Sequence, residues 1–234
     1  MDPVKNTLNP TCTGTSVIAL TYDGGVAMGT DRVVSYGHMA RYKGVSRQYR
    51  VNDNCIVSFG GDHADFQWLQ NVIERRQEEL LNCDRTLHLT PKMVHAYLTT
   101  FMYFRRTKMN PLWNTLIVSG MQPDSDNSDV KIPFIGVVTQ RGVAYETKSV
   151  ATGLGAMLLH QFIETNHRAK AGKLTRNEAL DLVRRCMELS IYHDCVADQE
   201  FDLSFVETVG GAALLKPEKI IGNWDIAEYN CQYQ

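Results

Sequence analysis

Apolar positions alternate in some stretches of the chain and recur every three or four residues in others. The first stretch, residues 16–22, is β-branched and apolar; Asp23-Gly24-Gly25 supplies a turn and 26–30 continues, which predicts a β-hairpin. Short strands are expected again at 32–36, 49–52 and 55–60. The period then lengthens. Asp62 stands where a helix cap belongs, ahead of a run from about 64 to 81 that brings Phe66, Leu69, Ile73 and Leu80 near one face. Thr90 caps a second helix. Pro91 occupies its first position, where a missing N–H costs nothing, and Val94, Tyr97, Leu98, Phe101 and Met102 follow at helical steps.

After Asn110-Pro111 the strand pattern returns, at 115–119, at 132–139, and after a Gln140-Arg141-Gly142 turn at 143–146. The polar, acidic stretch 122–129 between them reads as an exposed hairpin tip. Two further helices are expected near 156–166 and 176–193. The second opens with the capping box Thr175-x-x-Glu178 and buries Ala179, Leu182, Val183, Cys186 and Met187. Strands at 203–209 and 212–215 around Gly210-Gly211 end the pattern. Strands and helices thus come in segregated runs, which predicts an α+β layered domain with antiparallel sheets rather than alternating βαβ units. No stretch reads as a linker, a repeat or a low-complexity segment, so one domain is expected.

Composition narrows the class without naming it. The chain has 234 residues, 44% hydrophobic and 21% charged, the balance of a globular protein with a large core. Lysine and arginine number 24 against 26 acids, a net charge of −2, which argues against nucleic-acid or membrane-surface partners, since both need clustered positive charge. No apolar run reaches the roughly 18–20 residues of a membrane span, and Met1-Asp2-Pro3 does not begin a charged-then-apolar leader. Six cysteines, Cys12, Cys55, Cys83, Cys186, Cys195 and Cys231, form no Cys-x-x-Cys pair and have no histidine at zinc spacing. Scattered, mostly buried free thiols are expected, and with the absence of a usable glycosylation sequon (Asn9-Pro10-Thr11 is spoiled by its proline) they point to cytosol or nucleus.

Several local motifs invite chemistry and fail. Gly153-Leu154-Gly155 lacks the third glycine of a dinucleotide fingerprint; its glycines are expected to let a strand meet a helix closely. Arg105-Arg106-Thr107-Lys108 offsets a helix dipole at a solvated terminus. The histidine pairs His88/His95 and His160/His167 lack the spacing and glutamate of a helical zinc protease, and no Gly-x-Ser-x-Gly elbow appears.

What remains is the N-terminal hairpin. Thr13-Gly14-Thr15-Ser16-Val17 runs into a strand, with Asp31 and Arg47 further on. These residues, with Asp23-Gly24-Gly25-Val26, Ser58-Phe59-Gly60-Gly61-Asp62, Thr152-Gly153-Leu154-Gly155 and Tyr192-His193-Asp194, resemble the beta-type subunits of the proteasome, which are N-terminal-nucleophile hydrolases. The likeness covers nearly the whole chain. Ser35-Tyr36-Gly37, the run Lys108-Met109-Asn110-Pro111-Leu112-Trp113-Asn114-Thr115 and Asn223-Trp224-Asp225-Ile226-Ala227 are similar in particular to a non-catalytic branch of that family.

The resemblance implies a fold and a site. Active relatives use the hydroxyl of an N-terminal threonine, freed by a cut that here would fall between Gly14 and Thr15, with its own amine as base. A lysine held by an aspartate, a second aspartate and two serines support it. Thr15 and Asp31 match, and Asp194 matches the second aspartate. Arg47 stands at the lysine position and stays protonated at physiological pH, while Thr152 and Ala197 replace the serines, so one hydroxyl is kept and one lost. The set is incomplete. The expectation is therefore no catalytic residue, no cofactor and no metal, with Thr15 a vestigial strand residue and Asp31–Arg47 a structural ion pair. The mature start is expected near Thr7, upstream of the threonine, leaving open whether residues 1–6 are trimmed.

The implied fold is a four-layer αββα sandwich, with residues 1–14 an N-terminal extension, 15–222 the domain and 223–234 a C-terminal tail. The implied partners are other beta-type subunits of the same and the opposite ring and the alpha-type ring, together enclosing a chamber for ubiquitin-dependent proteolysis. Trp224, Ile226 and Tyr229 would anchor the tail towards the opposite ring, although Trp224 could equally dock on its own subunit. Two other functions stay open: an active threonine peptidase, and a stand-alone small-molecule or interaction domain of the same fold.

Overall fold

A computed structural model describes residues 12–37, 39–124, 130–170 and 173–222. Its strands are β1 (Cys12–Gly14), β2 (Val17–Tyr22), β3 (Gly25–Asp31), β4 (Val33–Tyr36), β5 (Met39–Lys43), β6 (Gln48–Asn52) and β7 (Cys55–Asp62). Helices α1 (His63–Cys83) and α2 (Pro91–Thr107) follow, then β8 (Asn114–Pro123), β9 (Lys131–Val138), β10 (Ala144–Glu146) and β11 (Ser149–Ala151). Helices α3 (Gly155–Leu158), α4 (His160–Ala169) and α5 (Arg176–His193) precede β12 (Glu200–Glu207), β13 (Gly211–Leu214) and β14 (Glu218–Lys219).

The strands form two antiparallel sheets. One has the order β10-β9-β8-β7-β1-β4-β5, with β6 also paired to β7; the other has the order β11-β2-β3-β12-β13, with β14 on β12. Successive side chains of a strand point to opposite faces, and this sorts the apolar residues into three clusters. Val57 and Phe59 of β7 face α1 and α2, packing with Phe66, Leu69, Leu98 and Met102. Their neighbour Ile56 faces the second sheet and joins Val17, Ala19, Met28, Ile117 and Val137. Ile18 and Leu20 of β2 point the other way, onto Ile163, Val183 and Met187 of α4 and α5. Three apolar seams separate four layers, and the expected αββα sandwich is what the chain builds.

Local chemistry sets the element ends where the sequence pattern put them. Asp62 accepts the Asp65 amide at 3.0 Å, Thr90 accepts the Met93 amide at 3.3 Å, and Thr175 and Glu178 complete the capping box of α5. Gly24 turns β2 into β3 with φ +90, a conformation that favours glycine.

Four strands lack a readable pattern. β1, β11 and β14 have three, three and two residues, and β5 is exposed at every position, so none alternates visibly. The single helix expected at 156–166 is two, divided at Leu159, whose side chain is drawn into the core at 1% exposure. The i→i−4 bonds from Leu159 to Gly155 and from Ile163 to Leu159 carry the direction through. The strand expected at 203–209 starts at Glu200 and stops at Glu207.

The thiols are less uniformly buried than expected: Cys55 and Cys186 are buried and free, but Cys83 and Cys195 are exposed and free. Desolvation pushes the Cys186 thiol up to about 12 and that of Cys55 higher still, so both are inert. His95 and His167 are buried and satisfied, each with Nε2 at 3.2 Å from a main-chain carbonyl, of Val137 and Thr21 respectively. The expected start at Thr7, residues 1–6, Cys231, most of the acidic tip and the tail with Trp224, Ile226 and Tyr229 lie outside the described residues.

Candidate functional site

Thr15 and Ser16 are the two residues by which the chain passes from one sheet to the other, from β1 to β2. β1 is not a free end. It lies antiparallel between β4 and β7, with Cys12 opposite Tyr36, Thr13 opposite both Ser35 and Asp62, and Gly14 opposite Gly61. The last three residues of the segment read as an extension therefore complete the larger sheet.

Beneath the crossing sits Arg47, with no exposed surface. Its Nε donates to the Asp31 carbonyl at 3.1 Å. One terminal nitrogen donates to the carbonyls of Thr15 and Phe59 at 2.9 and 3.0 Å, the other to the Ser16 carbonyl at 2.9 Å and to the Asp31 carboxylate. Four main-chain carbonyls and one carboxylate surround the guanidinium. Burial pushes its pKa down to about 9, opposed by the charges of Asp202 and Asp194, so it remains a cation at neutral pH. The expected ion pair is present, and it fastens both sheets: Phe59 belongs to β7, Asp31 to β3, and Thr15 and Ser16 to the crossing. The space is closed around it. A β-carbon on Gly14 would lie 2.5 Å from Arg47 Cδ.

The Thr15 hydroxyl donates to Asp31 Oδ1 at 3.1 Å, and the other Asp31 oxygen accepts the Asp198 amide at 3.3 Å. Thr152 Oγ1 accepts the Val17 amide at 3.1 Å, committing the retained hydroxyl to β2. Asp194 ends α5, is buried, and accepts the Val196 amide at 3.1 Å; its turn places the Ala197 amide 3.1 Å from the Asp194 carbonyl. Thr15, Asp31 and Arg47 are thus brought into direct contact, whereas Thr152, Asp194 and Ala197 serve neighbouring backbone. Gly153, at φ +62, and Gly155 let the β11–α3 junction close on Ser16, whose Oγ accepts the Gly155 amide at 2.8 Å. This is the close strand-to-helix approach expected of those glycines.

A cavity of about 210 Å³ opens beside Thr15, lined in part by Gly60, Gly61, Asn114, Gln140 and Thr152. Its wall explains Gly61: at φ +103, any side chain there would collide with the Trp113 carbonyl. Chemically the site offers one hydroxyl, and that hydroxyl is held by the Asp31 carboxylate. Arg47 has donors only, the Asp31 carboxylate is engaged by Arg47, Thr15 and Asp198, and the Thr15 nitrogen is a peptide nitrogen following β1. No group of three or more His, Cys, Asp or Glu side chains among the described residues is placed to hold a metal ion.

Residues 11–206 match the profile of the Proteasome family, whose members are proteasome subunits. The chain belongs to the proteasome subunit family. Its two-sheet sandwich is that family's N-terminal-nucleophile hydrolase fold. Among curated relatives, it is 40% identical over 227 residues to proteasome subunit beta type-4 of Xenopus laevis, covering 96% of this chain and 89% of that one. It is 34% identical to proteasome subunit beta type-4 of Drosophila melanogaster, over 96% and 81% of the two chains. It is 33% identical to proteasome subunit beta type-7 of Saccharomyces cerevisiae, over 97% and 85%. The beta type-4 proteins are the branch to which the Lys108–Thr115 and Asn223–Ala227 motifs pointed. As a family member, the chain assembles with other proteasome subunits in a multi-subunit core.

Sequence reasoning found Thr15, Asp31 and Arg47 but not the insertion of β1, which is too short to alternate. It also missed Ser16, whose hydroxyl ties β11–α3 to the crossing and whose only signal was its place after Thr15.

Proposed function

We propose that this chain is a non-catalytic beta-ring subunit of the 20S proteasome core, forming part of the wall of its proteolytic chamber. Its neighbours are other beta-type subunits of its own and the opposite ring, and the alpha-type ring. Its work is structural: it helps seal the space in which neighbouring subunits cut unfolded, ubiquitin-tagged proteins of cytoplasm and nucleus.

The observation that carries this reading is the use to which Arg47 is put. Its donors go to four backbone carbonyls and Asp31, and the nucleophile's position is preceded by a strand paired on both sides. An N-terminal threonine peptidase needs a free α-amine as base and a side chain beside it that can adjust proton affinity. An arginine fixed by five acceptors does neither.

The test is the mass and N-terminal sequence of this chain in purified core particles exposed to a threonine-directed epoxyketone. The chain is expected to begin upstream of Thr15 and to carry no adduct. A chain beginning at Thr15 with an adduct on that residue overturns the reading in favour of an active peptidase. Failure of the chain to co-purify with the core at all would return the stand-alone alternative.

A further inference from the structure

The last turn of α2, the loop after it and the β9–β10 turn bring a cluster of cations to one cleft. Seven other arginines each lie within ion-pair distance of a carboxylate. Among the described residues, Arg106, Lys108 and Arg141 have none, as is also true of Arg41, Arg75, Arg85, Arg105 and Arg185, but these three are set around one cleft. Arg106 and Lys108 lie instead over the rings of Tyr103 and Phe104, at 5.9 and 5.6 Å, and both rings are about half exposed. Beside them opens a cleft of about 760 Å³, lined by Arg106, Met109, Pro111, Trp113, Gln140 and Arg141, with no acid in its wall. On a chain of net charge −2, that is a local excess of positive charge around an apolar floor.

Met109 makes the cleft more than an accident of loops. It is the one non-glycine residue with positive φ among the described residues, at +55, and its side chain is 84% exposed. The position after a helix is where glycine or asparagine relieves that conformation, and Asn110 is the next residue along. Here a methionine holds it and puts an adaptable thioether in the open, a side chain suited to interfaces. Next to Arg141, Gly142, at φ +76, packs so close to Tyr103 that a β-carbon would lie 2.7 Å from its Cα.

We infer that this cleft is a docking surface for an acidic segment of another proteasome subunit, one that sets a carboxylate between Arg106 and Arg141 and an apolar side chain against Met109 and Trp113. The inference rests on the chain's place in the core. Charge complementarity of this kind selects the partner and its register, and like charges set against each other are strongly excluded.

The test is oxidative footprinting of Met109, read as sulfoxide by mass spectrometry, in core particles and in the free chain. Met109 is expected to oxidise roughly tenfold more slowly in the particle, as an exposed thioether does once covered. A photo-cross-linker at position 109 is expected to capture a peptide of another subunit with Asp or Glu near the linkage. In competition with the natural chain, R106E/R141E is expected to enter particles roughly tenfold less often, and R106K/R141K nearly normally. Oxidation at the free-chain rate in particles overturns the inference, as does capture of a peptide without acids or undiminished entry of the reversed pair. All of these leave the subunit reading intact. Absence of the chain from core particles would instead sink that reading.

Discussion

Replacing Arg47 tests the central physical claim, that one buried guanidinium fastens the two sheets where the chain crosses between them. Arg47→Met keeps the length and apolar stem and removes every donor. The Asp31 carboxylate, 1% exposed, would then be a buried charge without its counter-ion. Removing one partner of such a pair costs about 3–5 kcal/mol. The carbonyls of Thr15, Ser16, Asp31 and Phe59 also lose a donor, at about 1–3 kcal/mol for each left dry. Water entering the vacated space offsets part of this, so a loss of at least about 4 kcal/mol is expected, much of the roughly 5–15 kcal/mol a domain has.

Arg47→Lys distinguishes charge from geometry. A lysine keeps the positive charge for Asp31 but offers one nitrogen in place of a planar fork, so most of the carbonyls go unserved, at about 2–3 kcal/mol. Urea unfolding of the full chain measures both variants. Pairing Arg47→Met with Asp31→Asn removes the stranded charge, and the double variant is expected to lose about 1–3 kcal/mol less than the sum of the single losses. An Arg47→Met loss below about 1 kcal/mol, or strict additivity in that cycle, would refute the reasoning.

Two more outcomes follow from local geometry. Gly61→Ala combines positive φ with collision against the Trp113 carbonyl, whereas Gly24→Ala meets open space; losses of more than about 2 and about 1 kcal/mol are expected, and the reverse order in urea unfolding would contradict the placement. Glu178 has its pKa lowered from 4.5 to about 2, chiefly by Lys170 and then by the Thr175 amide; a depressed folded pKa gives stability present above 4.5 and lost as pH falls towards 2. Glu178→Gln is expected to flatten the stability–pH curve in that window, and an unchanged slope would show that the capping box does not titrate with the fold.

How much of this was legible beforehand varied with the range of the interaction. Asp62, Thr90, Thr175 and Glu178 act within a few residues, so their caps could be read directly. The faces of α1, α2 and α5 could be read as well, because each buries a stripe of its own. Leu159 could not: its break in the helix depends on a core that α4 shares with β2 and α5. β1 and β5 escaped for opposite reasons, one too short to show a period and the other exposed throughout. The site was half legible. The identities at positions 15, 31 and 47 carried the family and the loss of its lysine, but what Arg47 does instead depends on four carbonyls from three separate places in the chain.

An arginine at this position answers a packing problem that apolar side chains cannot. Along most of the sandwich, apolar side chains between the sheets hold them together, and Val17, Met28, Ile56 and Ile117 do so without direction. At the crossing this cannot work. Thr15 and Ser16 leave one sheet before joining the other, so their carbonyls face inward with no strand to pair them, and a buried carbonyl without a donor is costly. The seam between the sheets stays shut only if those carbonyls find donors. Arg47 meets that demand in one residue, with enough donors for the crossing, for β3 and for β7 at once. The same guanidinium holds the Asp31 carboxylate that accepts the Thr15 hydroxyl, so the seam and the threonine share one anchor.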